Sequence, residues 1–178
     1  LHLHRGWTPR HRRVPRDLKR TLGDAAYVLQ GAGMLPGLRP RFTRWRVDGL
    51  VHQEPLAVLV VGNTRLYAGV IQLTPGAQID DGEFDIVAFC PRSVMDGIRL
   101  GLKTAVGRTE RDSRIIRERG AHVIVETPHL AVQLDGDFHG ETPIDLRIET
   151  GALMVSVPAG PLPPIFRPPP YHRAPAEN

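Results

Sequence analysis

The sequence predicts a mainly β protein, an antiparallel β-sandwich or barrel-like domain with one or two flanking helices. Short apolar runs recur along most of the chain, and several alternate with polar residues at the period of two that a strand requires. Turns rich in glycine, proline, aspartate or asparagine separate these runs. Only two segments have the spacing of an amphipathic helix, so we expect helices to flank the sheets rather than to form the core.

Composition divides the chain into three regions. Residues 1–16 are basic, contain two prolines and show no periodicity, which predicts an irregular arm. Residues 17–158 hold the periodic segments and form the predicted β-domain. Residues 159–178 belong to a stretch with eight prolines between positions 158 and 175, which predicts a disordered tail. The longest apolar run, Leu56–Val61, is far shorter than the ~20 residues that a membrane-spanning helix needs.

The predicted helices lie at the start and in the middle of the β-domain. Residues 17–35 have apolar residues at spacings of three and four, with Asp17 as a suitable N-cap. The segment "SVMDGIRLGLKTAVG" has Ser93 as its N-cap, and an apolar stripe follows it. The stripe consists of Val94, Ile98, Leu102 and Val106. The highly charged residues 107–120 predict a surface turn or a short helix.

The predicted strands follow in order after residue 40. The first, Phe42–Val47, alternates and ends at an Asp–Gly turn signal. The run "PLAVLVVGN" is continuously apolar, as in a strand that is buried on both faces. The remaining predicted strands are "GVIQL", "FDIVAF", "HVIVE", "LAVQL", "DLRIE" and "ALMVSV".

Charge is distributed unevenly along the chain. The first 46 residues carry eleven lysines and arginines against two acidic residues. Such an arm can bind nucleic acid, anionic lipid headgroups or an acidic protein surface, although a solvated arm is the plainer interpretation. An RNA-binding β-barrel is the weakest alternative, because aromatic stacking platforms are missing. The single cysteine, Cys90, excludes an internal disulfide and is compatible with a reducing cytoplasm.

Two acidic turns are the candidate sites. "VQLDGDFHG" places Asp135 and Asp137 on either side of Gly136, and "IDDGE" places Asp80 and Asp81 before a second glycine. Carboxylates and carbonyls at such turns can bind Mg²⁺ or Ca²⁺, but most Asp–Gly turns bind nothing. The sequence shows neither a Walker-type lysine loop nor a glycine-rich phosphate cradle.

Three segments in order resemble one family. "VGNTRLYAGVIQLTPGAQIDDGEFDIVAF" and "VQLDGDFHGETPIDLRIETGALMVSVP" are similar to blocks in the carboxy-terminal domain of the bacterial diacylglycerol kinase-like lipid kinases, relatives of sphingosine kinase. "DLKRTLGDAAYVLQGAGML" resembles the helix that opens that domain. The resemblance extends from about residue 17 to residue 158. In this family the amino-terminal domain, with a "GGDGT" nucleotide motif, holds ATP, and no segment of this chain resembles it.

The resemblance implies two sets of site residues. The acid after "LDG" is the family's general base, which takes the proton of the lipid hydroxyl, and Asp137 stands at that position. The family usually has glutamate there, one methylene longer. The metal loop corresponds to Gln78–Glu83, where Mg²⁺ would be bound by the Asp81 carboxylate and by the backbone carbonyls of Gln78 and Glu83. Asp135 is expected to stabilise the turn.

The leading hypothesis is therefore the lipid-acceptor part of an ATP-dependent kinase that phosphorylates a lipid hydroxyl such as that of diacylglycerol. This part alone is expected to be inactive, because the ATP-binding half is missing from it. The alternative is a non-catalytic β-domain that binds lipid, membrane or a partner protein. Both hypotheses predict a cytoplasmic protein in peripheral contact with anionic membrane. An exposed sheet face would favour a homodimer.

Overall fold

A computed structural model describes residues 2–4, 39–67, 71–105, 112–157, 160 and 163–166 of the chain, with backbone alone for residues 2–4, 67, 71 and 105. The elements in chain order are β1 (His2–His4), β2 (Arg41–Val47), β3 (Leu50–Leu56), β4 (Val58–Gly62), β5 (Leu66–Tyr67), β6 (Ile71–Gln72), β7 (Phe84–Phe89), α1 (Val94–Ala105), β8 (Ile115–Gly120), β9 (His122–Val125), β10 (Ala131–Leu134), β11 (Asp137–Glu141) and β12 (Ile144–Arg147). The helix predicted at residues 17–35 and most of the predicted arm lie outside the described residues.

Two antiparallel sheets form the fold, and the predicted β-sandwich class is confirmed. The first sheet has six strands in the order β11-β10-β1-β4-β7-β8, and the second has four in the order β12-β9-β2-β3. Strands β5 and β6 pair separately as a short ribbon. All the described strand pairs are antiparallel.

The hydrophobic core lies between the two sheets. The four-stranded sheet contributes Trp45, Val47, Val123 and Val125, and the six-stranded sheet contributes Leu59, Val61, Ile86, Ala88 and Val132. These residues occupy alternate positions of their strands, which is the pattern that buries one face of a sheet. Trp45 is fully buried and its ring stacks on that of His52, with ring centroids 4.1 Å apart. Side-chain burial on facing strands thus fixes the register of both sheets.

The chain passes from one sheet to the other at Ala57. The apolar run "PLAVLVVGN", which we expected to form one strand, is divided at this residue. Leu56 ends β3 in the four-stranded sheet, and Val58 begins β4 in the six-stranded sheet. The N–H of Ala57 donates to the carbonyl of Phe89 at 2.9 Å, which holds the crossing point against β7.

Helix α1 begins as its sequence predicts but buries a different face. The Ser93 hydroxyl accepts a hydrogen bond from the N–H of Asp96 at 3.2 Å, so the N-cap is in place. Leu100 is the buried residue, packed on the six-stranded sheet with Val60, Val87 and Ile115. Of the predicted apolar stripe, Val94 and Leu102 are exposed and Ile98 is half-buried, whereas Val106 lies outside the described residues.

Two further predictions differ from the structure. Residues 115–120 form strand β8, so the charged segment is an edge strand rather than a turn or a helix over that range. "ALMVSV" is outside any sheet, and Leu153 and Met154 are exposed. Within the described part of the chain, no helix is long and apolar enough to cross a membrane.

Candidate functional site

Strand directions bring the candidate residues to one end of the six-stranded sheet. Strands β4 and β10 run parallel to each other, because each pairs antiparallel with β1 between them. The last residues of β4, β8 and β10 therefore lie at one end of the sheet. The first residues of β7 and β11 lie at the same end. We call this the loop end of the sheet. It carries Asn63, the 78–83 loop, Asp85, Arg119 and Asp137.

A tight hairpin positions Asp137. Strands β10 and β11 are joined by two residues, Asp135 at φ 51° and Gly136 at φ 96°. Positive φ at both positions is the geometry of the type I′ hairpin turn, for which Asp–Gly is a preferred sequence. Asp137 is the first residue of β11 and pairs with Leu134. The side chain of Asp137 is exposed, so it is accessible to a substrate at the sheet end.

The turn before β7 holds the Asp81 carboxylate. Its Oδ1 accepts a hydrogen bond from the N–H of Glu83 at 3.1 Å, across Gly82 at φ 78°. Its Oδ2 accepts from the guanidinium of Arg119 on β8. The Asp81 side chain is 1% exposed. Asp81 is thus buried in the turn with both of its oxygens engaged.

Two more carboxylates surround the same guanidinium. Glu83 Oε2 lies 3.1 Å from Nη2 of Arg119, and Asp85 Oδ2 lies 3.6 Å from Nε. Asp85 Oδ2 is buried and lacks a hydrogen-bond partner among the described residues. Burial raises the pKa of the Asp85 carboxyl, and the positive charge of Arg119 opposes that rise. Arg119 is therefore the cation that neutralises this acidic loop.

The buried carboxylate of the 78–83 loop is paired with Arg119 instead of being open to a divalent ion. Mg²⁺ requires oxygen ligands in near-octahedral geometry, and the predicted set consists of the Asp81 carboxylate and the backbone carbonyls of Gln78 and Glu83. That carboxylate already accepts from Arg119 and from a backbone N–H. In the described residues, no group of three or more histidine, cysteine or acidic side chains is arranged to hold a metal ion. The Mg²⁺ site implied by the resemblance stays a prediction.

Asp137 and the 78–83 loop both lie at the loop end of the sheet, but they are far from each other. Strands β10, β1 and β4 lie between β11 and β7. At ~4.8 Å per strand, Asp137 and Asp85 are separated by roughly 19 Å along the sheet. A substrate that used both would have to extend across the sheet end.

Sequence reasoning missed Asn63 and Arg119. Asn63 follows β4, and its buried Oδ1 has no hydrogen-bond partner in the described part of the chain. Neighbouring Gly62 approaches Thr74 so closely that a Cβ would lie 3.2 Å from the threonine hydroxyl. The signal for Asn63 was its place at the end of an apolar strand. Arg119 was hidden because β8 was not recognised as a strand.

A short carboxy-terminal segment reaches the same loop. The N–H of Ile79 donates to the carbonyl of Ile165 at 3.0 Å. Arg65 donates to the carbonyl of Ala77 at 3.1 Å and to the carbonyl of Pro164. Residues 163–166 of the predicted disordered tail are therefore hydrogen-bonded to the loop end, and residues 167–178 lie outside the described range.

Comparison with known families gives a match over most of the chain. The model of the YegS C-terminal NAD kinase beta sandwich-like domain matches residues 3–157. A diacylglycerol kinase of Bacillus subtilis (strain 168) is 31% identical over 131 residues, which are 73% of this chain and 43% of the relative. A diacylglycerol kinase of Staphylococcus aureus (strain Newman) is 26% identical over 131 residues, 73% of this chain and 42% of the relative. The chain thus spans less than half the length of these curated relatives.

Solved structures show the same fold. A crystal structure of a diacylglycerol kinase from Bacillus anthracis strain Sterne superposes with a TM-score of 0.51 at 20% identity, covering 67% of this chain and 43% of that one. Another crystal structure from the same strain gives a TM-score of 0.54 at 21% identity, covering 76% of this chain and 45% of that one. In both cases the matched part is less than half of the solved chain.

Proposed function

Because the chain belongs to the family of the YegS C-terminal NAD kinase beta sandwich-like domain, we propose that it is the lipid-acceptor part of an ATP-dependent lipid kinase. The proposed reaction transfers the γ-phosphoryl group of ATP to a lipid hydroxyl, that of diacylglycerol. The observation that carries the proposal is the family match over residues 3–157, joined to 31% identity with a diacylglycerol kinase. Because those relatives are more than twice as long as the matched segment, we assign ATP binding to a second part.

Asp137 is the proposed general base. A carboxylate accepts the proton of the acceptor hydroxyl as its oxygen attacks the γ-phosphorus, and the bond to the departing ADP breaks. The products are a lipid phosphate and ADP, with the proton on Asp137. The type I′ turn supports this role, because it fixes the exposed side chain at the loop end of the sheet. Asp135 shapes that turn and has no role in the chemistry.

We assign no step to a magnesium ion at the Asp81 loop, since Arg119 engages the carboxylate there. The proposed contribution of this loop is to hold the start of β7 in register with the end of β8. Asn63 is a better candidate for contact with the second part or with substrate. Its buried amide oxygen is unpaired among the described residues and lies at the end of β4.

Contact with an anionic bilayer is the proposed route to the lipid. On α1, Met95 and Leu102 are 59% and 62% exposed, and the exposed Arg99 lies between them in sequence. Apolar side chains beside arginine are the composition of a surface that inserts into the headgroup region. The proposed location is the cytoplasm, with the protein peripheral to the membrane.

The test is a steady-state kinase assay of the native protein with its natural ends, using ATP and diacylglycerol in mixed micelles. Asp137→Asn is expected to lower kcat by ~10²–10⁴, the range of a lost general base, with little change in KM for the lipid. The matched control is Asp135→Asn, which keeps the turn because asparagine tolerates positive φ. Equal activity of wild type and Asp137→Asn would remove Asp137 from the mechanism.

A further inference from the structure

We propose that Arg119 takes the place of a divalent ion at the Asp81 loop, so that guanidinium and Mg²⁺ exclude each other there. The inference goes beyond the kinase proposal, because it concerns what stabilises the loop and is tested without any activity measurement. It contradicts the magnesium site that the family resemblance implies.

Strand register fixes the position of the arginine. Arg119 lies directly opposite Asp85 in the antiparallel pair of β8 and β7, and Gly120 lies opposite Phe84. Directly opposed residues of an antiparallel pair have Cβ atoms within roughly 5.5 Å of each other. The backbone, rather than a chance side-chain conformation, therefore brings a positive charge to the start of β7.

Both oxygens of the Asp81 carboxylate are already engaged, and one of them is engaged by a cation. Its Oδ1 accepts from the Glu83 N–H at 3.1 Å, and its Oδ2 accepts from Arg119. The guanidinium also reaches Glu83 Oε2 at 3.1 Å, as its planar set of donors allows. A metal ion on Oδ2 would stand beside a like charge, so the arginine would have to leave first.

The arginine is able to leave. Its side chain is 48% exposed, whereas the Asp81 side chain is 1% exposed. Removing the guanidinium would leave a buried carboxylate without a cation, beside Glu83 and Asp85. Such a site is unstable until another cation occupies it. The expected signature is therefore a response to Mg²⁺ that is absent from the wild type and is created by replacing Arg119.

The experiment is thermal unfolding of the chain in EDTA and in millimolar MgCl₂. Three proteins are compared: the wild type, Arg119→Gln, and the control Arg147→Gln. Arg147 pairs with Asp145 at 3.3 Å, and both side chains are more than half exposed on β12, so the control removes an arginine–aspartate pair outside the loop. We expect the Tm of the wild type to be the same in EDTA as in MgCl₂, and we expect the same of the control. In EDTA, Arg119→Gln should have a lower Tm than the wild type, and MgCl₂ should raise that Tm towards the wild-type value.

Two results would overturn the proposal: a wild-type Tm that rises in MgCl₂ as much as that of Arg119→Gln, or an Arg119→Gln Tm that does not respond. Should Arg119→Gln fail to fold, electron paramagnetic resonance of Mn²⁺ added to the wild type decides the question. A spectrum of free Mn²⁺ alone supports the proposal, and one bound ion per chain that Asp81→Asn abolishes refutes it.

Discussion

Gly120 is the position where one added methyl group should cost most stability. This glycine ends β8 next to Arg119, and a Cβ built on it would lie 2.5 Å from Val47 Cγ1 and 2.5 Å from Asp48 Oδ2. Carbon atoms in contact are normally ~3.5–4.0 Å apart, so Gly120→Ala requires Val47 Cγ1 and the new methyl group to separate by roughly 1.0–1.5 Å. Val47 is buried and branched at Cβ, which leaves it little freedom to rotate away.

The cost has two parts. Forcing a methyl group into a packed site costs roughly 1–3 kcal/mol. The displaced Asp48 carboxylate also accepts from the N–H groups of Ala121 at 3.2 Å and His122 at 2.9 Å, and each lost bond costs about 1 kcal/mol. Alanine also has a lower conformational entropy than glycine in the unfolded chain, which stabilises the folded state by up to ~1 kcal/mol. We therefore expect Gly120→Ala to lower the free energy of unfolding by about 2–4 kcal/mol.

Urea unfolding followed by circular dichroism measures this change. The matched control is Gly97→Ala in α1, where a Cβ would meet Pro91 Cγ at an ordinary 3.7 Å. Because alanine is the better helix former, Gly97→Ala should leave stability unchanged or raise it by up to ~1 kcal/mol. A Gly120→Ala protein within about 0.5 kcal/mol of the wild type would refute the packing argument.

Three other predictions concern Cys90, the support of α1 and the membrane. Burial, with a smaller effect of the Glu54 charge, raises the pKa of the Cys90 thiol to about 12 from 9.0. The folded protein thus holds this proton more tightly than the unfolded protein does, and the stabilisation present below pH 9 declines by about 1.4 kcal/mol per pH unit between pH 9 and 12. Urea unfolding at pH 8 and pH 10 should show this decline in the wild type and not in Cys90→Ala. Asp112 accepts from Lys103 at 2.8 Å and from Nε of Arg114 at 2.7 Å, and these hydrogen bonds hold the pKa of its carboxyl well below the usual range. Asp112→Asn should lower Tm at pH 7, where the carboxylate is charged, and the difference from wild type should shrink as pH falls through the pKa of the folded carboxyl; an equal Tm at pH 7 would exclude the network as a support of α1. Replacing Leu102 by serine should weaken binding to vesicles that contain anionic lipid in a flotation assay, and undiminished binding would remove α1 from the membrane contact.

Local signals predicted the two Asp–Gly turns and the most apolar strands, but not the strands β3 and β11 that follow those turns. Strand β7 coincides with the predicted "FDIVAF", because every residue of it is apolar except Asp85 and both neighbouring strands cover it. The Asp–Gly pairs at 48–49 and 135–136 both adopt positive φ, as two-residue hairpin turns require. In these places sequence alone decides the local geometry.

The secondary-structure predictions fail where contacts between residues distant in sequence determine the structure. Strand β8 carries charge on both faces, since it lies at the sheet edge and its arginines and glutamate reach solvent or partners on β7 and β3. Helix α1 buries Leu100 against Val60, Val87 and Ile115 of the sheet, whereas Met95 and Leu102 are exposed, and the helical spacing alone does not show which apolar side chain meets the sheet. "ALMVSV" has strand propensity, but among the described strands none pairs with it.

The arrangement of the site residues also depends on contacts between residues distant in sequence. The register that sets Arg119 opposite Asp85 depends on a strand pair that links residues 34 positions apart, and periodicity does not reveal such pairs. Asp137 was identified through a motif resemblance, and its base role stays a prediction. The hairpin shows how its side chain is held and not what it does.

The most direct test of the account is transfer of radiolabelled γ-phosphate from ATP to diacylglycerol by the native protein with its natural ends. We expect label in a lipid phosphate, dependent on both substrates, and loss of that label in Asp137→Asn at an unchanged Tm. An absence of labelled lipid from the folded native protein, or full labelling by Asp137→Asn, would contradict it.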